Sequence, residues 1–406
     1  MNILRVVTLS LAVLAIAVFG LFVSAPEAEA AKPDRCSPWP ECRDEEPPPP
    51  EPIDGTACVD STGDFPALAY YDVVKVGKRR KQKDIATVYI ANSNGECSIP
   101  IWTGEDNGPG YGFTFQLIGS SGHILWTHGS GEIVRLQFDI ENRAIMTPLP
   151  LGLPELVYVT SETPVGVLEA ILSADGTELY FGKEVGDPVG WIDTINVIDL
   201  ENCANLPCPA NPVLTLENRF PIGLATSPDG SRIYFATNGV GGVPGVQSLS
   251  FIEKLPDDTW SGIKDVVTSN DSGYTQSTFG ANGWTIWPVT SAALVDYGAG
   301  PVEVLAFNRG DPPELPTHID LMSVADCDIT LPGTCLANGN ATLVGPMLPG
   351  ELAEFTSLSS DSGIPASSIL VRSDTGVFEE WDPRTVTKIR DILVGKNITR
   401  LPQSGN

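Results

Sequence analysis

The chain has 406 residues and a formal net charge of −27, because 24 Lys and Arg stand against 51 Asp and Glu. Such a polyanionic surface repels nucleic acid, which excludes DNA and RNA as partners. Gly (40 residues) and Pro (35 residues) are abundant and the apolar runs are short, so the composition favours many strands joined by turns over helices.

The first thirty residues have the pattern of an export signal. Arg5 precedes an apolar stretch from Val6 to Val23, and Ala28-Glu29-Ala30 gives the small-x-small pattern that signal peptidase accepts. We therefore expect cleavage after Ala30, which leaves a periplasmic or secreted protein without a membrane span. The apolar stretch is long enough that retention as an uncleaved anchor is the alternative.

The mature chain is predicted to begin with a linker. Residues 31–62 are acidic and Pro-rich, and Pro47–Pro50 favours an extended polyproline conformation that cannot build a core. Residues 63–394 have a uniform strand-and-turn pattern and form the predicted main domain. Residues 395–406 are left as a C-terminal tail.

An even number of cysteines, eight, in an exported chain indicates disulfides. No Cys-x-x-Cys occurs and the three histidines complete no ligand set, so a zinc site is not indicated. Eight cysteines allow on the order of a hundred connectivities, and the pairing rests on proximity alone. Proximity favours these pairs: Cys36 with Cys42, Cys203 with Cys208, Cys327 with Cys335, and Cys58 with Cys97.

The main domain contains an internal repeat. Ser173–Phe181 (SADGTELYF) is echoed by Ser227–Phe235 (SPDGSRIYF), and the two aspartates lie 54 residues apart. In each copy the Asp side chain can bond to the backbone of a tight turn, and the Gly takes a positive φ without steric cost. The structural turn residues are therefore predicted to be Asp175, Gly176, Asp229 and Gly230, each pair followed by a buried strand.

Looser versions of this hairpin recur along the domain, with centres at about 90, 130, 177, 230, 299 and 374. A propeller blade of four strands needs about 40 to 50 residues, so the wider spacings predict inserted loops. The sequence therefore predicts an all-β fold, a β-propeller of six four-stranded blades. Two β-sandwiches that share turn chemistry by chance are the alternative.

The two Ser-x-Asp-Gly segments resemble the WD-like repeat of TolB-type propellers, which are extracytoplasmic proteins. Ser227–Phe235 matches the Ser-Pro-Asp-Gly motif fully, and Ser173–Phe181 departs from it at Ala174. The family includes binding proteins, propeller halves of peptidases and pectin-degrading lyases. Its motif is a structural turn, so the resemblance implies a fold and an address but transfers no active-site residue.

The motifs of the common hydrolases and nucleotide-binding proteins are missing from the sequence. Neither Gly-x-Ser-x-Gly, a Walker loop, a dinucleotide fingerprint nor His-Glu-x-x-His occurs, and no catalytic residue is predicted. One carboxylate-rich segment follows a strand and is predicted to fill a Pro-rich loop between blades five and six. Its candidate binding residues are Asp311, Glu314, His318 and Asp320. Such oxygen ligands suit Ca²⁺, although their spacing matches no calcium-loop pattern, and no cofactor is predicted.

Two tryptophans are candidates for ligand stacking. Trp284 and Trp287 lie in a segment that is predicted to reach one opening of the propeller channel, where they can stack on a sugar or a peptide. Burial of one or both between blades is the alternative.

The repeated scaffold and the missing catalytic constellation together predict a non-enzymatic binding scaffold. A protein or envelope partner is expected, and a small-molecule or sugar ligand is the other kind of partner. The alternative is a hydrolase or lyase that depends on a divalent metal held in the central channel by carboxylates from several blades. Such ligands come from scattered positions and leave no sequence signature.

Overall fold

The computed structural model describes residues 53–76, 83–105, 111–128, 131–161, 165–187, 190–217, 220–238, 247–268, 271, 286–309, 318–344, 348–349, 352–356, 366, 368–372 and 378–392. All regular elements in these ranges are strands, which confirms the all-β prediction. Across the same ranges, no helix has the length and apolar character needed to cross a membrane.

The strands form six antiparallel sheets that follow one another along the chain. Sheet 1 contains β1 (Leu68–Val76), β2 (Lys83–Ala91) and β3 (Ser98–Glu105). Sheet 2 contains β4 (Tyr111–Ile118), β5 (Ser121–His128), β6 (Glu132–Glu141), β7 (Ala144–Ile145) and β8 (Glu155–Val159). Sheet 3 contains β9 (Val165–Leu172), β10 (Glu178–Asp187), β11 (Gly190–Asp199) and β12 (Asn211–Glu217).

The second half of the chain repeats this organisation. Sheet 4 contains β13 (Phe220–Thr226), β14 (Arg232–Asn238), β15 (Gln247–Glu253) and β16 (Lys264–Thr268). Sheet 5 contains β17 (Ile286–Asp296), β18 (Pro301–Arg309), β19 (His318–Ser323), β20 (Thr342–Leu343) and β21 (Leu348–Pro349). Sheet 6 contains β22 (Leu352–Thr356), β23 (Ser368–Arg372), β24 (Phe378–Asp382) and β25 (Thr387–Ile392).

Among the described residues, three of the six sheets have the predicted four strands. Sheets 3, 4 and 6 have four strands, sheets 2 and 5 have five, and three described strands form sheet 1. In sheet 2 the two short strands β7 and β8 both pair with β6, and in sheet 5 β20 and β21 both pair with β19. The outer position is therefore shared by two fragments in each of these sheets.

The sheets are arranged in a ring. Five hydrophobic clusters each join one sheet to the next along the chain, through buried residues such as Phe113, Phe181, Phe235 and Phe307. The sixth cluster closes the ring, because it contains residues of sheets 1 and 6. Its members are Leu68, Tyr70, Ala91, Leu370, Phe378 and Ile392. The protein is a β-propeller.

The six predicted hairpin centres fall at two different positions within the sheets. The turns near 177, 230 and 299 join the first strand of a sheet to the second. Those near 90 and 130 join the second strand to the third, and the turn near 374 lies outside the described residues, between β23 and β24. This change of position explains part of the uneven spacing, because the same turn chemistry marks different corners of different sheets.

The two Ser-x-Asp-Gly turns have the same hydrogen bonds. In sheet 4 Asp229 Oδ1 accepts bonds from Ser227 Oγ (2.6 Å), Ser231 N (2.9 Å) and Ser231 Oγ (2.7 Å), and Ser227 Oγ accepts one from Arg232 N (2.9 Å). The corresponding bonds at Asp175 in sheet 3 repeat this pattern. The φ of Gly230 is 71°, a left-handed conformation that glycine adopts without strain. The predicted turn role is thus visible atom by atom.

Replacing Asp229 with alanine is expected to lower the free energy of unfolding by about 1–2 kcal/mol, because three donors lose one charged acceptor. Burial alone would raise the pKa of Asp229, but the bonds from Ser227 and Ser231 and the charge of Arg232 hold it below its usual value. Asp229→Asn keeps an acceptor and should lose less. Since the ionised form is favoured in the folded state, the difference between wild type and Asp229→Asn should shrink as the pH falls below about 4. Urea unfolding at pH 7 and pH 3 measures both effects, and equal losses for the two variants at pH 7 would contradict the assignment.

The first strands of successive sheets are linked by side chains that bond to backbone. Thr114 Oγ1 of β4 donates to Ala170 O of β9 (3.0 Å), and Gln116 both donates to Leu172 O (3.1 Å) and accepts from Leu172 N (2.7 Å). One sheet further on, Glu169 of β9 accepts a bond from the backbone N–H of β13 at Leu224 (3.3 Å). These polar side chains satisfy backbone groups at the inner edges of the sheets.

Two disulfides join cysteines within the described ranges. Cys58 and Cys97 are bonded across 39 residues, and Cys203 and Cys208 across 5 residues. The first bond attaches the segment that precedes β1 to sheet 1. The same segment also pairs with sheet 2, because Gly55 O accepts a bond from Ile145 N (3.0 Å). The part of the predicted linker that follows residue 52 therefore packs on the sheets.

The predicted pair Cys327 and Cys335 is not a disulfide in the structure, where both are buried free thiols. The Cys327 thiol donates to the carbonyl oxygen of Asn340 (3.8 Å), and the neighbouring Cys335 raises the pKa of this thiol. The Cys327 thiol therefore has a polar partner without a covalent bond. The remaining predicted pair, Cys36 with Cys42, lies outside the described residues.

A partly buried ion cluster joins sheets 4 and 5. Arg232 forms ion pairs with Glu253 (3.2 Å) and Glu303 (3.7 Å), and Glu303 also accepts a bond from Tyr234 OH (2.8 Å). The guanidinium lies 4.9 Å from the centre of the Phe251 ring and donates to the carbonyl oxygen of Cys327 (3.1 Å). A single side chain thereby connects a turn of sheet 4 with the loop that follows β19.

Candidate functional site

A cavity of about 610 Å³ opens between sheets 3 and 4, at the end of the sheets where the two Ser-x-Asp-Gly turns lie. Sheet 3 contributes Ser173–Asp175, Glu178 and Tyr180 to its wall. Sheet 4 contributes Asp229–Ser231 and the segment Glu253–Pro256 with Asp258. The cavity is thus built from both copies of the repeat and from the loop that follows β15.

The centre of the cavity is a network around Glu178. Its Oε2 accepts bonds from Tyr180 OH (2.5 Å) and from Lys254 Nζ (3.3 Å). Tyr180 is also fixed by Trp260, whose ring packs edge-on at 5.7 Å. Burial, and then the bond to Glu178, raise the pKa of Tyr180 well above its usual value, so the phenol stays protonated and acts as a donor.

The cavity wall carries an excess of negative charge. Its five carboxylates face one ammonium group, that of Lys254, which lies 3.3 Å from Glu178 and 3.9 Å from Asp258. Glu253 is paired with Arg232, whose charge also acts on Asp229, whereas Asp175 accepts hydrogen bonds from the neutral groups of its turn. The pKa of Asp175 is held below its usual value, first by its bond from Ser173, so this side chain is ionised at neutral pH. The wall therefore suits a positively charged group.

The opposite end of the same interface is polar as well. The face of sheet 4 that packs on sheet 3 carries a chain of buried hydroxyls, in which Thr237 bonds to Ser248 (2.7 Å), Ser248 to Ser250 (2.8 Å) and Ser250 to Asp265 (2.7 Å). On the facing side, Asp193 of β11 is buried. Burial, and then the charge of Glu184, raise the pKa of Asp193 to about 7.

Three of the six predicted binding residues, Trp287, His318 and Asp320, belong to described strands. Trp284, Asp311 and Glu314 lie outside the described residues, and the backbone of Trp287 belongs to β17. The sequence predicts that His318 and Asp320 lie in a loop between two sheets. This placement is wrong, because both residues belong to β19 of sheet 5. In this segment, His318 and Asp320 alternate with the buried Ile319 and Leu321, which is the pattern of a strand. Asp320 is 2% exposed and is paired in register with Phe307.

Sequence reasoning missed the residues that the structure does bring together. Glu178 and Lys254 come from different sheets and have no common motif. Asp193 did leave a signal, because it occupies an apolar-face position in the alternating strand that also contains Ile195 and Val197. An acidic side chain on the inward face of a strand is unusual enough to mark a candidate site.

Within the described ranges, no group of three or more His, Cys, Asp or Glu is arranged to hold a metal ion. No model of a known protein family matches the sequence, and no curated protein matches it. The TolB-like resemblance therefore stays a prediction.

Several solved structures have a similar course of the chain. A structure of a nidogen–laminin complex matches with 10% identity and a TM-score of 0.46, covering 82% of this chain and 97% of that chain. A periplasmic gluconolactonase of Pseudomonas aeruginosa matches with 15% identity and a TM-score of 0.44, covering 83% of this chain and 87% of that one. A puromycin hydrolase matches with 14% identity and a TM-score of 0.41, covering 84% of this chain and 48% of that chain.

Proposed function

We propose that the protein is an exported propeller of the TolB-like type that acts as a binding scaffold in the periplasm or outside the cell. The cavity between sheets 3 and 4 binds a positively charged group, such as a Lys or Arg side chain, of a protein or envelope partner. The two bonded cysteine pairs support an oxidising compartment. The two turns with the same hydrogen bonds support the TolB-like type.

The charge of the cavity carries this proposal. Its single ammonium group cannot balance the carboxylates of Asp175, Glu178, Asp229 and Asp258, and a bound cation would restore that balance. Leu255 and Pro256 add apolar wall that can cover the methylene groups of a long basic side chain. The cavity volume, about 610 Å³, is in the range of small-molecule and side-chain sites.

A short peptide that contains Lys and Arg tests whether the cavity binds basic groups, or whether the general acidity of the chain attracts them. We expect Glu178→Gln/Asp258→Asn to weaken binding of this peptide by about tenfold, a loss of about 1.4 kcal/mol, in calorimetric titrations at 0.15 M salt. A Gly- and Ser-containing peptide of equal length should not bind measurably.

The matched control is Asp60→Asn/Asp64→Asn, which removes the same charge from two exposed positions in the segment that precedes β1 on sheet 1. This control should bind the basic peptide as the wild type does. Equal weakening by the two double variants would show that the peptide senses only the net charge of −27, and the cavity proposal would fall.

A further inference from the structure

Two carboxylates face each other on neighbouring strands at the end of sheet 3 that lies away from the cavity. Glu184 of β10 is directly opposite Asp193 of β11, and Gly166 of β9 continues the same row. Their face is the one that packs on sheet 4, since Ile195 and Leu216 on that face belong to the shared cluster. The Glu184 carboxylate leans over Gly166, with Oε2 3.4 Å from where a Cβ of that residue would lie.

Asp193 is enclosed, and no counter-charge lies beside it in the part of the chain that the structure describes. The residue is 3% exposed, and its Oδ1 has no hydrogen-bond partner. Among the described residues no ion pair reaches Asp193 or Glu184, and the charge that acts on Asp193 is the like charge of Glu184. Directly opposed like charges on adjacent strands repel, and a buried carboxylate without a partner is unfavourable.

The atoms available at this row are those that a hard cation prefers. Two opposed carboxylates offer up to four oxygens, and a divalent ion neutralises both charges at once. Because Gly166 has no side chain, the Glu184 carboxylate itself occupies the space beside it on this face. A monovalent ion or a proton removes one of the two charges and leaves the other.

We propose that Glu184 and Asp193 bind one divalent cation of the Ca²⁺ type between sheets 3 and 4. Water or backbone oxygens complete the six to eight ligands that Ca²⁺ takes. The ion holds β10 to β11 at the end of the sheet where both carboxylates would otherwise repel each other.

Titration of the purified, chelator-treated protein with CaCl₂ at pH 8 tests this site. We expect calorimetry to give one ion per molecule, and the midpoint of thermal unfolding to rise with the calcium concentration. Asp193→Asn removes one ligand charge and should weaken calcium binding by on the order of tenfold or more. Without calcium the same variant should be at least as stable as the wild type, because the repulsion from Glu184 is gone.

Glu184→Gln is the second variant, at a partly exposed position that tolerates a neutral side chain, and it should weaken calcium binding similarly. The control Glu201→Gln, an exposed change close by in sequence, should bind calcium as the wild type does. The proposal is overturned if the wild type binds no stoichiometric calcium at millimolar concentration, or if Asp193→Asn and Glu184→Gln bind it as tightly as the control. None of these outcomes depends on the basic peptide or on its cavity.

Discussion

Replacing Arg232 with alanine is expected to destabilise the propeller by about 3 kcal/mol, the lower end of the range for removing one partner from a buried ion pair, because this pair is largely but not fully buried. The side chains of Arg232 and Glu303 are 13% and 15% exposed, so Glu303 would be left buried without its cation. Burial raises the pKa of Glu303, and Tyr234 and Arg232 oppose that rise. The substitution also removes the bond to Cys327 O and the contact with the Phe251 ring. Denaturant unfolding at neutral pH measures the loss.

Two comparisons make this prediction specific to the buried charge. Arg384→Ala breaks a pair with Asp382 in which the arginine is 49% exposed, and should lose much less stability than Arg232→Ala. Arg232→Met/Glu303→Gln removes both charges and should recover a large part of the stability that Arg232→Ala loses. If the double variant is as unstable as Arg232→Ala, packing rather than charge accounts for the role of Arg232.

Removal of the disulfide between Cys58 and Cys97 is expected to lower the free energy of unfolding by about 4 kcal/mol in the chain-entropy treatment of a closed loop. The bond closes 39 residues, so its loss frees a long stretch of the unfolded chain. In the folded state it also holds the segment before β1 on sheet 1, where Cys58 is fully buried. The double variant Cys58→Ala/Cys97→Ala, unfolded by denaturant, provides the measurement.

The second disulfide is the internal control. Cys203–Cys208 closes only 5 residues, and Cys203→Ala/Cys208→Ala should lose about 2 kcal/mol on the same basis. A larger loss at the short loop than at the long one would mean that local packing, and not loop length, determines what each bond contributes.

The sequence predicts the tight turns of the propeller well, because the residues within each turn determine its conformation. Asp229 and Gly230 specify their turn through bonds within the six residues Ser227–Arg232, and the following strand is recognised by its alternation. The strand at His318 is missed because a Pro-rich segment precedes it and only Ile319 and Leu321 mark its apolar face. In sheets 2 and 5, the short strands β7 and β20 have two residues each, which is too few for any periodic signal.

The candidate sites are predictable only in part, because they depend on which strands lie side by side. The cavity joins Glu178 of one repeat to Lys254, which follows the third strand of the next sheet. Glu184 and Asp193 become neighbours only through the pairing of β10 with β11, and no motif marks that register. Within this pair, Asp193 does carry a sequence signal, because it is an acidic residue at an apolar-face position of its strand.

The bonds from Thr114, Gln116 and Glu169 to neighbouring first strands have a consequence for misassembly. A strand that borders an open axis offers unpaired amide groups to any extended peptide, which is how edge-to-edge aggregation starts. Here the side chains of one sheet already occupy backbone groups of the next. An invading peptide would have to displace them, so fibril growth from this protein should begin at its outer rim.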